Sequence, residues 1–198
     1  MDRAIAGAGL ADVLEARRSG GLTEAQIARL READLLALGA MADRVRREES
    51  GEGVRIYTSD SEPSEGEVPA KVLPREDQDL SGLELLREVA VARMTAPAGV
   101  RVRVDWTRCG LEIAQVALGF GADELVGRIS TKRGLPIAEG ELAGVGKKSQ
   151  RLPAQLAKQR ELAAYVRRAG REPILVGAGG AILPTEPVTG AATLPEEC

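Results

Sequence analysis

Apolar residues in the first fifty positions recur at helical spacing. Ile5, Leu10, Val13 and Leu14 form a loose stripe over Asp2 to Arg18, and Ser19-Gly20-Gly21 breaks it. Thr23 to Gln26 has the form of a capping box, in which the threonine hydroxyl bonds the N3 amide and the glutamine reaches back. It opens a helix to about Ala33. Asp34 stands ready to cap the next helix, Leu35 to Glu49, whose apolar face is Leu35, Leu36, Leu38, Met41, Ala42 and Val45. Arg44, Arg46 and Arg47 suit the negative end of its dipole. Beyond Gly51 and Gly53 the period changes to two, and Val54-Arg55-Ile56-Tyr57 reads as a short strand.

The pattern then fades. Residues 58–80 are rich in acid, serine and proline and read as a solvated linker. Ser81 to Glu84 is a second capping box, opening a helix to about Met94. Val100 to Trp106 (VRVRVDW) alternates as a half-buried strand. A short amphipathic helix, Leu111 to Leu118, follows, and Gly119 to Ala122 turns the chain toward a strand near Leu125 to Ile129. Thr131 to Ser149 reads as loop. Pro153 suits the first turn of a helix, Ala154 to Ala169, closed by Gly170. Pro173 to Val176 is a last short strand, and residues 177–198 read as a disordered tail. The expected organisation is thus residues 1–57, a linker 58–80, an α/β unit 81–176 and the tail.

Composition narrows the chemistry. Apolar residues make up 43% and charged residues 29% of the chain, the profile of a soluble globular protein. No apolar run is long enough for a membrane span, and the first residues lack the pattern of a secretion signal. The net charge of −3 and only four aromatic residues (Tyr57, Trp106, Phe120, Tyr165) give no reason to expect nucleic acid as partner. There is no histidine, so no mechanism can use imidazole as base, shuttle or ligand. The two cysteines, Cys109 and Cys198, cannot complete a four-ligand metal site without it. They read as reduced thiols of a cytoplasmic protein. Gly140 to Ser149 (GELAGVGKKS) is not a phosphate loop. Five residues separate its first glycine from Gly146-Lys147 where four are required, and Lys148 replaces the hydroxyl residue.

Asp105, Trp106 and Arg108 close a strand, where α/β proteins place their sites; they offer a ring, a carboxylate and a guanidinium to a ligand. The alternative is that Trp106 packs under the helix while the charges stay solvated. Asp123 and Glu124 read either as an acid pair or ribose clamp, or as caps of the following turn. Cys109 has no histidine to activate it and reads as a structural thiol.

Cys109 to Gly127 (CGLEIAQVALGFGADELVG) resembles the Gly-Leu-x-x-Ala-Gln-x-Ala-Leu-x-Phe-Gly-Ala-Asp-Asp-Leu phrase of the radical S-adenosylmethionine (SAM) enzymes of the futalosine route to menaquinone. These are aminofutalosine synthase and dehypoxanthine futalosine cyclase. Leu22 to Tyr57 resembles the family's helix pair and first barrel strand; Leu86 to Ile129 resembles its last barrel units; Glu161 to Val176 resembles its closing helix and Arg-Ala-Gly-x-x-Pro exit. The resemblance implies a (β/α) barrel-like sheet with flanking helices. Only the linker stands where middle barrel units belong, so the expected fold is α/β and partial relative to the radical SAM barrel, with about four short strands.

The family holds a [4Fe–4S] cluster and SAM through a Cys-x-x-x-Cys-x-x-Cys motif just after the first strand. Here that stretch has no cysteine, so neither cofactor is expected. The family's Asp-Asp-Leu-Asp-Gly-Thr becomes Asp123-Glu124-Leu125-Val126-Gly127-Arg128. The expectation is a non-catalytic binding or regulatory partner in menaquinone synthesis, self-associating or pairing with a full-length radical SAM homologue through its open sheet edges. The alternatives are a small non-radical enzyme acting on a futalosine-like nucleoside through Asp105, Asp123 or Glu124, and an inactive gene remnant.

Overall fold

The computed structural model describes residues 2–58, 70–75, 77–127, 154–177 and 180–183. The first predicted helix is two, α1 (Asp2–Gly7) and α2 (Ala11–Ser19). Gly9 between them adopts a φ of +67°, which no regular helix accommodates. Both capping boxes form. Thr23 opens α3 (Glu24–Glu32): its N–H donates to Gln26 Oε1 at 2.9 Å and its hydroxyl accepts from Gln26 N at 3.3 Å. Ser81 and Glu84 do the same for α5 (Gly82–Thr95), at 2.8 and 3.4 Å. Asp34 caps α4 (Leu35–Ser50), accepting from Ala37 N at 2.9 Å.

Five strands run parallel: β1 (Gly53–Thr58), β2 (Ala70–Leu73), β3 (Arg101–Asp105), β4 (Glu124–Gly127) and β5 (Glu172–Val176). A two-residue β6 (Ile182–Leu183) adds to β5 antiparallel, and the sheet order is β2-β3-β4-β1-β5-β6. The short α6 (Trp106–Cys109), α7 (Leu111–Ala117) and a single 3-10 turn (Leu118–Phe120) join β3 to β4, and α8 (Ala154–Arg168) precedes β5.

The structure corrects two expectations. The predicted linker contains β2, a four-residue strand between Pro69 and Pro74 whose prolines and acidic approach hide it from a periodicity reading. The predicted disordered tail contributes β6, held because Gly177 N donates to Ala181 O at 2.7 Å and turns the chain back. The predicted loop over Thr131 to Ser149 lies outside the described residues.

A strand presents alternate residues to opposite faces. The register aligns Leu73, Val104, Leu125, Ile56 and Leu175 in one row across the sheet. These side chains are buried in one core with residues from α1, α2, α3, α4, α5, α7 and α8. The N-terminal helices and the later α/β unit therefore share a single apolar interior. Val72, Arg103, Glu124, Arg55 and Ile174 form the adjacent row on the other face, and none belongs to that core. The β2–α5–β3 and β3–α7–β4 crossovers step in the same direction, so right-handed connections put their helices on the same face. Gln115 of α7 donates to Tyr165 O of α8 at 2.8 Å, which places α8 beside them.

Two buried ionic knots fasten the helices to the sheet. Arg171, ahead of β5, and Arg46 both bond Asp43 Oδ1 of α4, at 2.6 and 3.0 Å. Arg93 of α5 donates to Gly121 O at 2.9 Å and Val100 O at 3.1 Å, tying the turn before β4 to the start of β3. Gly121 has a φ of +100°, and a Cβ there would lie 2.9 Å from Arg93 Cβ and 3.2 Å from Ala42 Cβ. Gly121→Ala therefore combines backbone strain with overpacking. It is expected to lower stability by about 1–3 kcal/mol, read from the urea midpoint.

Candidate functional site

The five sequence-predicted residues do not converge. Asp105 ends β3 and caps α6: its Oδ1 accepts from Thr107 N at 2.8 Å and Thr107 Oγ1 at 2.6 Å. Trp106 is buried against Gly127, where a Cβ would stand 2.5 Å from the indole ring. This is the packing alternative for Trp106. Arg108 donates to Pro74 O at 2.9 Å and Gln78 O at 3.4 Å, holding the segment after β2. These three residues lie at the C-terminal end of the sheet.

Asp123 and Glu124 lie at the opposite end, where β4 begins. As neighbours at the start of a strand they point to opposite faces, so they cannot act as an acid pair or clamp one ribose. They do not cap a turn either. Asp123 is fully buried beside Val102, on the helix-covered side. Its carboxylate accepts from Val102 N at 2.8 Å, Ser50 Oγ at 2.9 Å and Arg101 at 3.1 Å, and Arg93 pairs with it at 2.8 Å. With four partners, its acceptor capacity is consumed by structure.

Glu124 faces the other way and joins a cluster that sequence reasoning missed. Arg103 Nε and Nη2 both bond Glu124 Oε2, at 2.9 and 2.6 Å. The Arg103 guanidinium lies 5.0 Å from the centre of the Tyr57 ring. Tyr57 Oη donates to Glu124 Oε1 at 3.5 Å and accepts from Arg55 at the same distance. Tyr57 and Glu124 are 1% exposed, although both belong to the sheet face that contributes nothing to the apolar core. Desolvation raises the pKa of Glu124 above its ordinary value, and Arg103 opposes the shift. The signal was present in the sequence as arginines alternating with aliphatic residues, Arg55 in VRIY and Arg101 and Arg103 in VRVRVDW. On this face Arg103 clamps the Glu124 carboxylate, and Tyr57 links that carboxylate to Arg55. With Tyr57, Arg103 and Glu124 all buried and paired with one another, the cluster ties β1, β3 and β4 together and leaves Glu124 clamped by Arg103.

Cys109 does not supply a cluster ligand. The [4Fe–4S] group implied by the family resemblance needs three thiolates, and the chain has two cysteines. Cys109 Sγ donates to Asp105 O at 3.3 Å; burial, with the Asp105 carboxylate adding to it, pushes the thiol up to about 11. The residues present do not fit the group. Alkylation of Cys109 by iodoacetamide at about pH 8 is accordingly expected to run on the order of a hundredfold slower than in a model peptide, as followed by site-resolved mass spectrometry.

No described helix is long and apolar enough to cross a membrane. Against known proteins, the chain matches no family model, and no curated protein matches it.

Proposed function

We propose that the chain is a radical SAM-like, non-catalytic protein that acts as a binding or regulatory partner in futalosine-route menaquinone synthesis. One observation carries the reading: β1 lies beside β4 in parallel, with Ile56 opposite Leu125. The sequence likeness assigns β1 to the first barrel strand and the Leu86 to Ile129 stretch, with β3 and β4, to the last barrel units, which a barrel brings beside the first strand; here β5 takes the other side of β1 and the sheet stays open. Helices on one face and a charged row on the other also suit a section of barrel wall, where the second face is the lumen. Such a wall, with β2 as a terminal strand, gives a reason to associate. The enzyme alternative is weaker, because Asp105, Asp123 and Glu124 are spread over both ends and both faces of the sheet.

Size-exclusion chromatography with light scattering tests the reading. The expected result is a self-associated species, or co-elution with a full-length radical SAM homologue. A monomer that ignores the full-length enzyme overturns it. Anaerobic reconstitution with iron and sulfide provides the second arm, where no absorbance near about 400 nm is expected and a broad band there overturns the cluster-free assignment.

A further inference from the structure

At the β2 edge of the sheet, a cleft of about 360 Å³ opens between β2 and α5. Its floor is apolar, formed by Leu73, Val91 and Ala92, and its rim carries Arg31, Lys71 and Arg75. Among the described residues Glu88 is the one carboxylate in the lining, and it is engaged by Arg31 at 3.2 Å. Among the described residues, the Arg75 guanidinium makes one long ionic contact, with Asp77 at 3.8 Å. Lys71 is half-buried, and Nζ bonds a hydroxyl, Thr95 Oγ1, at 3.2 Å, with no carboxylate partner among the described residues. Burial pulls the Lys71 ammonium below the usual lysine range. A partly desolvated cation that has no carboxylate partner among the described residues, above an apolar floor, is the composition of a site for an anion with an apolar body.

We propose that this cleft binds a small organic carboxylate, with its charge between Lys71 and Arg75 and its apolar part on Leu73, Val91 and Ala92. A bare phosphate satisfies the cations but leaves the floor unused. A carboxylate carrying a ring or branched chain uses both.

The test titrates the full chain with sodium benzoate and, separately, with inorganic phosphate, following the Lys71 side-chain NMR signals. Saturable benzoate binding that moves the Lys71 signals is expected, with a rise in the pKa of Lys71 on binding. Lys71→Met is expected to weaken benzoate at least about tenfold, since a charge-assisted bond is lost, while Lys71→Arg keeps the affinity within about threefold. Failure of benzoate to saturate, or equal affinity in Lys71→Met, overturns the site. Tighter binding of phosphate than of benzoate overturns the carboxylate assignment. Arg75→Gln, on the exposed rim, gives a second folded variant in which benzoate should weaken by several-fold; unchanged affinity there overturns the placement of the charge.

Discussion

Asp123→Asn is expected to destabilise the protein by about 3–5 kcal/mol at neutral pH, the range for breaking a buried ion pair from one side. Asparagine keeps one oxygen, which can serve Val102 N–H on the Oδ1 side or Ser50 on the Oδ2 side but not both; it brings no charge and adds two N–H donors. Arg93 and Arg101 then face an amide where they had a carboxylate. Arg93 is the more serious loss, since its side chain is 1% exposed and its charge cannot be rehydrated without moving α5. Its remaining acceptors are the carbonyls Gly121 O and Val100 O, with Glu49 at 3.3 Å. The turn before β4 and the start of β3 should loosen together, so protection of Val102 and Ala122 amides from hydrogen exchange should fall with the urea midpoint. A residue kept for touching a ligand gives a different result, with stability within about 1 kcal/mol of wild type and only binding lost. That outcome would overturn the structural assignment of Asp123.

Local signals in the sequence survive in the structure, and pairings between distant segments are what it adds. Both capping boxes, the Asp34 cap and the strand within Val100 to Trp106, which runs Arg101–Asp105 before Trp106 opens α6, are decided by residues within one turn of each other, so composition at fixed offsets reveals them. β2 has too few residues to show a period, and β6 exists only because β5 offers it an edge. The candidate acids fail as a pair for an elementary reason, the two-residue period of a strand, which a reading of Asp123-Glu124 as a loop could not apply. Arg55 and Arg103 were visible as charges on alternating strands. Their meeting at Glu124 depends on β1 and β3 both flanking β4, an order that crosses the chain and that no window of sequence contains. The same holds for Arg171 reaching Asp43.

The charged sheet face makes the second strong prediction, and its sign depends on pH. Arg103→Met removes both bonds to Glu124 and the guanidinium over Tyr57, leaving a 1% exposed carboxylate with a phenol as its remaining described partner in that cluster. At about pH 7.5 the expected loss is about 3–5 kcal/mol. Burial already raises the pKa of Glu124 above 4.5, and Arg103 is what holds the shift back, so the variant carries it higher still. A carboxyl with a raised folded-state pKa weakens the fold fully above that pKa. The penalty fades as pH falls through it toward the unfolded value, because the folded chain takes up the proton first. Urea midpoints at about pH 5 should therefore show the Arg103→Met variant much closer to wild type than at about pH 7.5. Adding Glu124→Gln should restore most of the lost stability at neutral pH and abolish the pH dependence of the difference, a coupling that a double-mutant cycle reads directly. A penalty of equal size at both pH values, with no rescue by Glu124→Gln, would mean that Arg103 matters for packing on Tyr57 and not for the charge it neutralises.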